Sequence, residues 1–221
     1  MTKIAALVIS DTEGPDILVR VHGEPLLAHT LRGLFEAGCV DRVVVAASAR
    51  GLEACSEIVG KIPGARQRCR VLPCGADRAE SIRLALDALD SFDAGGAPHD
   101  AILVHDAARP FVPPVTVRAV VDAVLRGAEA AAPVLPVTDT VKLVDGEGVV
   151  VTTEDRSRLR TVQTPFGFTE SVLRDAGERG LDPLADPPAT VRTVAGHPHA
   201  IRLATPFDLA VAEALLLEER A

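Results

Sequence analysis

Short apolar runs alternate with longer amphipathic stretches from the first residues of the chain onward. Three of these runs are rich in Val, Ile and Ala and are bounded by turn residues: Ile4–Ile9, Arg42–Ala47 and residues 101–105. Apolar runs of this kind are typical of strands that are buried on both faces of a parallel sheet. The pattern therefore predicts three buried parallel strands.

The stretches between the strands carry apolar residues at helical spacing. Leu27, Leu31 and Leu34 recur every three or four residues. Pro25 before them suits a first helical turn, and Gly38 after them is a stop signal. Similar signals predict further helices at residues 81–89, 115–128, 169–179 (capped by Thr169) and 206–219. Repeated strand–helix–strand units predict an α/β fold whose mostly parallel sheet is doubly wound.

The pattern changes at residues 139–157, in the second half of the chain. Val-Lys-Leu-Val and Val-Val-Val-Thr-Thr flank a turn that contains Asp145 and Gly146. A lone two-stranded hairpin is not stable by itself and cannot bury both of its faces. We therefore predict one domain over residues 1–221, with a β-arm at 139–157 for dimerisation; the alternative is a flap folded over its own domain. Residues 161–164 predict a strand that returns to the sheet.

Composition narrows the range of partners. The 221 residues carry a formal net charge of −8, which argues against a broad electrostatic surface for nucleic acid or an anionic membrane. The absence of Trp and Tyr leaves few rings to stack on exposed bases. No apolar run is long enough to span a membrane, and the first residues do not form a signal-peptide pattern. We predict a cytoplasmic protein that binds neither nucleic acid nor membrane.

The cysteines do not indicate a metal or redox site. They form no Cys-x-x-Cys pair and have no His at ligand spacing. We expect buried thiols at Cys39, Cys55, Cys69 and Cys74.

Candidate chemistry lies where the predicted strands end, because ligands of open parallel sheets bind at the carboxyl ends of the strands. Asp106 and Arg109 follow the strand at residues 101–105. An Asp at this edge can hold a divalent cation against phosphates, and an Arg can clamp an anion. In the alternative, Asp106 caps a turn and pairs with Arg109. His105 is expected to be a packed, hydrogen-bonded residue rather than a base.

Six collinear segments extend this interpretation over nearly the whole chain. Residues 104–110 read Val-His-Asp-Ala-Ala-Arg-Pro, and residues 136–142 read Pro-Val-Thr-Asp-Thr-Val-Lys. The other segments are residues 75–81, 154–156, 162–165 and 201–209. In order and spacing they resemble the 2-C-methyl-D-erythritol 4-phosphate cytidylyltransferase family, and the last segment is similar to its closing strand-to-helix signature. The resemblance implies a nucleotide-diphospho-sugar transferase-like, Rossmann-type fold.

The resemblance also implies a reaction and its partners. CMP would pass from CTP to a polyol phosphate, 2-C-methyl-D-erythritol 4-phosphate, with release of pyrophosphate, in the synthesis of isoprenoid precursors. Mg²⁺ is the implied cofactor. A homodimer would form through the β-arm, and each substrate pocket would include arm residues of the other chain.

Roles follow from position in the matching segments. Asp106 would be a catalytic residue that holds the metal and contacts the nucleotide. The other nucleotide-binding residues would be Gly75 and Ser81, together with Ala6, which lies outside the six segments in the stretch that corresponds to the family's first strand and loop. The residues around the polyol phosphate would be Arg109, Thr140, Thr164 and, from the partner chain, Arg156. Arg202 stands where the family has a lysine in its closing segment, and it is a candidate catalytic residue.

One segment departs from the family pattern. After the first strand the family has a Gly-rich loop with basic residues, whose N–H groups and side chains bind the triphosphate. The corresponding residues 10–20 contain one glycine, no lysine and the acidic residues Asp11, Glu13 and Asp16. Arg20 is the candidate replacement cation and, in that role, a further candidate catalytic residue. This loop favours an alternative function, a non-catalytic or respecified homologue that binds a nucleotide or a polyol phosphate.

Overall fold

The computed structural model describes residues 2–10, 17–92 and 96–218, and these form an α/β fold, as predicted. The strands are β1 (Ile4–Ile9), β2 (Arg20–Val21), β3 (Glu24–Pro25), β4 (Arg42–Ala47), β5 (Cys69–Pro73), β6 (Ala101–Asp106), β7 (Ala130–Pro136), β8 (Lys142–Val144), β9 (Val150–Thr153), β10 (Arg160–Val162), β11 (Phe166–Phe168) and β12 (Val191–Ala195). The α-helices are α1 (Leu26–Glu36), α2 (Leu52–Lys61), α3 (Arg78–Phe92), α4 (Pro114–Leu125), α5 (Glu170–Glu178) and α6 (Pro206–Glu218).

The central sheet is mixed and mostly parallel. Its strands lie in the order β10–β7–β11–β6–β1–β4–β5, and β12 also pairs with β7. Strands β6, β1, β4 and β5 run parallel to one another, whereas β11 is antiparallel to both β6 and β7. Ile9, at the end of β1, is in register with Ala46 of β4 and with Asp106 of β6. The carboxyl ends of these strands therefore share one edge of the sheet.

Helices cover both faces of the sheet, so the doubly wound topology is confirmed. Every residue of β1 is buried. Because side chains alternate along a strand, Ile4, Ala6 and Val8 pack with α1, α2 and α4, whereas Ala5 and Leu7 pack with α3 and α5. Fully burying one aliphatic side chain of this size contributes roughly 1.5–3 kcal/mol. These two apolar layers hold the strand ends in place.

Helix α3 begins at Arg78, one turn before the predicted position at Ser81. The Asp77 carboxylate accepts a hydrogen bond from the Glu80 N–H at 2.8 Å. This bond satisfies one of the N–H groups that a helix start leaves open. The spacing Asp-x-x-Glu is a capping signal that is readable in the sequence.

Two other helix predictions need correction, one in the position of a helix end and one in its capping. Helix α4 ends at Leu125 rather than at residue 128, because Gly127 adopts a φ of +99° and its N–H bonds the Val124 carbonyl at 2.8 Å. Thr169 precedes α5, but its side chain makes no capping hydrogen bond to the helix backbone. The prediction that Thr169 caps this helix is therefore wrong in its chemistry, although the position is right.

The strand predictions in the last third of the chain need correction. The returning strand predicted at residues 161–164 is β10, which ends at Val162, and a cis Thr164–Pro165 peptide separates it from β11. Proline has no N–H to donate to a ladder, which fits a break here. Residues 201–204 form no strand; Leu203 instead donates its N–H to the Ala108 carbonyl at 2.8 Å.

The predicted hairpin is present as β8 and β9, which among the described residues pair only with each other. The Asp145 carboxylate accepts hydrogen bonds from the N–H groups of Glu147 and Val149 and so holds the turn. Every residue of both strands is exposed, including Leu143 and Val151. The alternative of a flap packed on its own domain is therefore not supported, and the role of a dimerisation arm stays a prediction.

Two predicted properties can be compared with the described part of the chain. No helix within residues 2–10, 17–92 and 96–218 is long and apolar enough to cross a membrane. None of the four cysteines, all of which lie in the described part of the chain, forms a disulfide; Cys55 and Cys69 are buried, and Cys39 and Cys74 are half-buried. Burial raises the pKa of the Cys69 thiol to about 12, so this thiol stays protonated.

Candidate active site

A cleft of about 370 Å³ opens beside the carboxyl end of β6. Its walls come from four parts of the chain: the start of α3, the turn after β6, the β10–β11 connection, and residues 184–202. The lining residues are Arg78, Asp106, Arg109, Val162, Gln163, Thr164, Phe166, Leu184 and Arg202. The cleft thus combines three arginines with one carboxylate at the edge where ligands of open α/β sheets bind.

The Asp106 carboxylate lies between a backbone turn and an arginine. Its Oδ1 accepts a hydrogen bond from the Ala108 N–H at 2.9 Å, and its Oδ2 accepts one from Arg202 Nε at 2.9 Å. The Asp106 side chain is 11% exposed, and that of Arg202 is 33% exposed. Asp106 therefore does cap a turn, as the alternative interpretation of the sequence predicted. That interpretation is wrong about the ion-pair partner, which is Arg202 rather than Arg109.

Main-chain carbonyls hold the Arg109 guanidinium. Its Nη1 donates to the Ala200 carbonyl at 2.6 Å and its Nη2 to the Val162 carbonyl at 3.3 Å. Burial lowers the pKa of Arg109, the Asp106 charge raises it, and the Arg202 charge lowers it. An arginine remains cationic under such shifts. Arg109 therefore brings a fixed positive charge, suited to a phosphate, to the cleft wall.

Thr164 and His105 lie directly behind the Asp106 backbone. The Asp106 N–H donates to Thr164 Oγ1 at 3.1 Å, and the same oxygen is 3.2 Å from His105 Nδ1. His105 Nε2 is 3.1 Å from the Arg109 carbonyl. Burial lowers the pKa of His105 to about 4, against smaller opposing effects that include the Asp106 charge. His105 is thus a neutral, packed imidazole, in agreement with the expectation from sequence.

The turn before α3 is held by hydrogen bonds to Ser81, a residue of α3. Gly75 donates its N–H to Ser81 Oγ at 3.0 Å, and this hydroxyl donates to the Asp77 carbonyl at 2.7 Å. A Cβ on Gly75 would come within 2.6 Å of Glu80 Cγ, so only glycine fits without a shift. Neither Gly75 nor Ser81 lines the cleft around Asp106. Their bonds shape the turn from which Arg78 projects.

Five cleft residues were not predicted from the sequence: Arg78, Val162, Gln163, Phe166 and Leu184. Arg78 Nη1 forms an ion pair with Asp182 Oδ2 at 3.0 Å, and Asp182 Oδ1 also accepts the Leu184 N–H at 3.0 Å. This connection brings Leu184 to the cleft wall. Arg78 lies inside the matching segment 75–81, so its position was readable. Leu184 had no signal, because its place depends on a contact over a hundred residues along the chain.

Some predicted site residues lie elsewhere. Ala6 is in the middle of β1, 0% exposed and paired on both sides, which corrects its assignment to a nucleotide contact. Arg20 is exposed in β2 and donates to the Gly23 carbonyl at 2.5 Å, away from the cleft lining. The acidic residues Asp11, Glu13 and Asp16 fall outside the described residues.

Thr140 and Arg156 flank the β8–β9 hairpin and are exposed. Arg156 Nη1 donates to the Thr138 carbonyl. Neither residue lines the cleft of its own chain. A contribution to the pocket of a partner chain, which the resemblance implies, stays a prediction.

The cleft fits Mg²⁺ only together with a phosphorylated ligand. Asp106 is the one carboxylate among the described residues that line the cleft, and both of its oxygens already accept hydrogen bonds. No group of three or more His, Cys, Asp or Glu that could hold a metal occurs in the described part of the chain. Mg²⁺ often binds through one or two carboxylates plus substrate phosphates. Asp106 can serve in this way if Arg202 releases its Oδ2.

The fold and the cleft define a class, the α/β proteins that bind phosphorylated ligands at the carboxyl edge of a mostly parallel sheet. Within this class, the family model of 2-C-methyl-D-erythritol 4-phosphate cytidylyltransferase matches residues 10–218. The chain belongs to this family.

Relatives and solved structures agree. The chain is 49% identical over 211 residues to the 2-C-methyl-D-erythritol 4-phosphate cytidylyltransferase of Saccharopolyspora erythraea, covering 91% of each chain. It is 41% identical over 216 residues to that of Nocardia farcinica, covering 92% of this chain and 86% of the relative. The crystal structure of the cytidylyltransferase from Thermus thermophilus superimposes with a TM-score of 0.72 at 30% identity, covering 98% of this chain and 100% of that one.

Proposed function

We propose that this chain transfers CMP from CTP to 2-C-methyl-D-erythritol 4-phosphate and releases pyrophosphate. The observation that carries the proposal is the cleft at the end of β6, where Asp106 and Arg109 of the family's own segment meet Arg202 of its closing segment. A relative with this name is 49% identical over most of the chain. A cytoplasmic location is part of the proposal, because the donor is a nucleoside triphosphate.

The reaction joins two anions. A phosphate oxygen of the acceptor forms a bond to the α-phosphorus of CTP, and the bond from that phosphorus to the bridging oxygen of pyrophosphate breaks. Catalysis of such a transfer consists mainly of positioning and of neutralising negative charge. Arg109, fixed by two carbonyls, suits the acceptor phosphate, and Arg78 and Arg202 supply further positive charge along the cleft.

Asp106 and Arg202 have linked roles in this proposal. Mg²⁺, when bound by Asp106 and phosphate oxygens, would neutralise charge on the transferred group. Arg202 Nε, now 2.9 Å from Asp106 Oδ2, would turn to the phosphates. An Arg at this position differs from the family's lysine, because its planar guanidinium presents several N–H groups in a fixed geometry to a phosphate, whereas a lysine presents one compact ammonium group.

We also propose a homodimer through the β8–β9 hairpin. Its apolar side chains are exposed, among them Leu143, Val150 and Val151. Exposed apolar patches on a soluble chain mark interaction sites. Thr140 and Arg156, at the two ends of this hairpin, would complete the acceptor pocket of the partner.

A second candidate function rests on the composition of residues 10–20. Three acidic residues and no lysine stand where the family binds the triphosphate. A protein that keeps the acceptor side of the cleft but not triphosphate handling would bind a polyol phosphate, or a different nucleotide, without this transfer.

One pair of measurements distinguishes the two functions. Titration calorimetry with CTP and Mg²⁺ tests triphosphate binding, and pyrophosphate release with 2-C-methyl-D-erythritol 4-phosphate tests transfer. The proposed function requires both binding and turnover. If the folded protein binds the polyol phosphate but neither binds CTP nor releases pyrophosphate, the second function replaces the first.

A further inference from the structure

His105 is buried beside the cleft and takes no part in the chemistry described above. It is the last but one residue of β6, it is 1% exposed, and it is not among the residues that line the cleft. Both of its ring nitrogens face polar atoms of residues next to the site. A buried imidazole with two such contacts connects parts of the molecule that the strand alone does not hold.

The direction of each hydrogen bond follows from the chemistry of its partners. The Arg109 carbonyl can only accept, so His105 Nε2 must carry the hydrogen and donate it at 3.1 Å. Nδ1 of a neutral ring is then an acceptor, and Thr164 Oγ1 donates its hydrogen to it at 3.2 Å. Thr164 Oγ1 in turn accepts the Asp106 N–H at 3.1 Å. The hydrogen bonds form one chain with a single set of directions.

This chain of hydrogen bonds links three backbone segments. It fixes the end of β6 at Asp106, the segment before the cis peptide at Thr164, and the turn at Arg109. The Arg109 N–H closes the same turn by donating to the Asp106 carbonyl at 3.0 Å. Each segment contributes a side chain to the cleft. Loss of one bond would allow one cleft residue to move while the others stay.

We propose that His105 is a positioning residue whose two nitrogens act on different parts of the site: Nδ1 places Asp106 through Thr164, and Nε2 places Arg109 through its carbonyl. This inference rests on the proposed function, in which Asp106 serves the metal and nucleotide and Arg109 serves the acceptor. His105 is not a general base, because both nitrogens are engaged and the ring does not reach the cleft.

Two substitutions remove one contact each. In Asn, the amide oxygen is two bonds from Cβ, as Nδ1 is in His, so His105→Asn keeps an acceptor for Thr164 and loses the donor to Arg109. In Gln, the amide nitrogen is three bonds from Cβ, as Nε2 is in His, so His105→Gln keeps the donor to Arg109 and loses the acceptor for Thr164. His29→Gln is the matched control, since His29 is also buried and contacts a carbonyl, that of Val21.

The expected result is a crossed pattern. His105→Gln raises the Mg²⁺ concentration for half-maximal activity about tenfold and raises the KM for the acceptor by no more than about twofold, a small effect that arises because Thr164 also lines the cleft. His105→Asn raises that KM about tenfold and leaves the Mg²⁺ requirement unchanged. His29→Gln changes neither. If both His105 variants shift both parameters alike, or shift neither, the separate positioning roles are wrong.

The state of the ring provides a test that does not depend on activity or on the folding of a variant. Nitrogen-15 NMR of the labelled wild-type protein, at one mildly alkaline pH, reports which ring nitrogen carries the hydrogen. We expect the Nε2–H tautomer. The Nδ1–H tautomer would reverse the hydrogen bonds and overturn the inference, even in an active enzyme. A wild-type protein with the Nε2–H tautomer but no turnover would instead contradict the proposed function.

Discussion

The cleft at the end of β6 and the β8–β9 hairpin differ in which groups they bury: the cleft buries a charged group, whereas the hairpin exposes apolar ones. In the cleft, the Asp106 side chain is 11% exposed, and both of its oxygens accept hydrogen bonds from the same chain. In the hairpin, Val151 is 62% exposed, and no part of the described chain covers it. Buried polar groups are tolerated when they are paired, whereas exposed apolar groups gain from a partner.

One chain by itself completes the geometry of the cleft, but it leaves the apolar surface of the hairpin exposed. The geometry of Asp106, Arg109 and Arg202 is held by bonds within the chain. Thr140 and Arg156 flank the hairpin and contribute nothing to their own cleft. If the hairpin dimerises the protein, these residues are the connection between the two regions. Substitutions in one region should therefore have effects of a different kind from those in the other.

The largest effect is expected from Asp106→Asn, which changes the cleft alone. The amide keeps the shape but removes the charge that would hold Mg²⁺, and kcat/KM should fall about a thousandfold, in line with the loss of one preorganised electrostatic group. Pyrophosphate release measures this fall. Asp90→Asn is the control, because Asp90 is also paired with an arginine, Arg174, but outside the cleft. A fall of less than tenfold would contradict the role of Asp106.

Mixing two inactive variants tests whether the two regions meet across a dimer. Arg156→Ala should be nearly inactive if Arg156 serves the partner's pocket. In a heterodimer with Asp106→Asn, one pocket carries both substitutions and the other carries neither. Equal mixing after exchange of subunits should then restore about a quarter of wild-type activity, as expected for a symmetric dimer with random pairing. No recovery in mixtures that contain heterodimers would place Arg156 in the pocket of its own chain.

A charge on the hairpin should separate the chains without altering the cleft. Val151→Asp places a carboxylate in the proposed interface, and we expect the dimer dissociation constant to rise about a hundredfold, measured by sedimentation. Val115→Asp is the matched control, since Val115 is 59% exposed and lies on α4. Equal dissociation of both variants, or of neither, would count against the hairpin as the interface.

Sequence patterns predicted the fold better than the site, for identifiable reasons. The run that forms β1 is apolar throughout, and the run that forms β4 is apolar after Arg42, so their burial could be predicted. The same pattern argued against Ala6 as a nucleotide contact, because it lies inside a strand that is buried on both faces. The assignment of Ala6 to nucleotide binding rested on the resemblance alone. The partner of Asp106 was not readable, since Arg202 is 96 residues away and only the fold brings the two together.

The smallest expected effect is a pH dependence of stability that originates at the cleft. Burial lowers the pKa of His105 from 6.5 to about 4. Between these pH values the unfolded chain binds more protons at His105 than the folded chain does. The stability that the neutral, buried His105 contributes is therefore fully present above about pH 6.5 and is lost as the pH falls toward 4. Between pH 7 and pH 5, the free energy of unfolding of the wild type should fall by about 2 kcal/mol more than that of His105→Asn, measured by urea denaturation.

Val151→Asp is the control. Its free energy of unfolding should fall as much as that of the wild type, because the hairpin does not alter the surroundings of His105. A wild type whose stability falls no more than that of His105→Asn would show that the buried ring does not titrate differently in the folded and unfolded states.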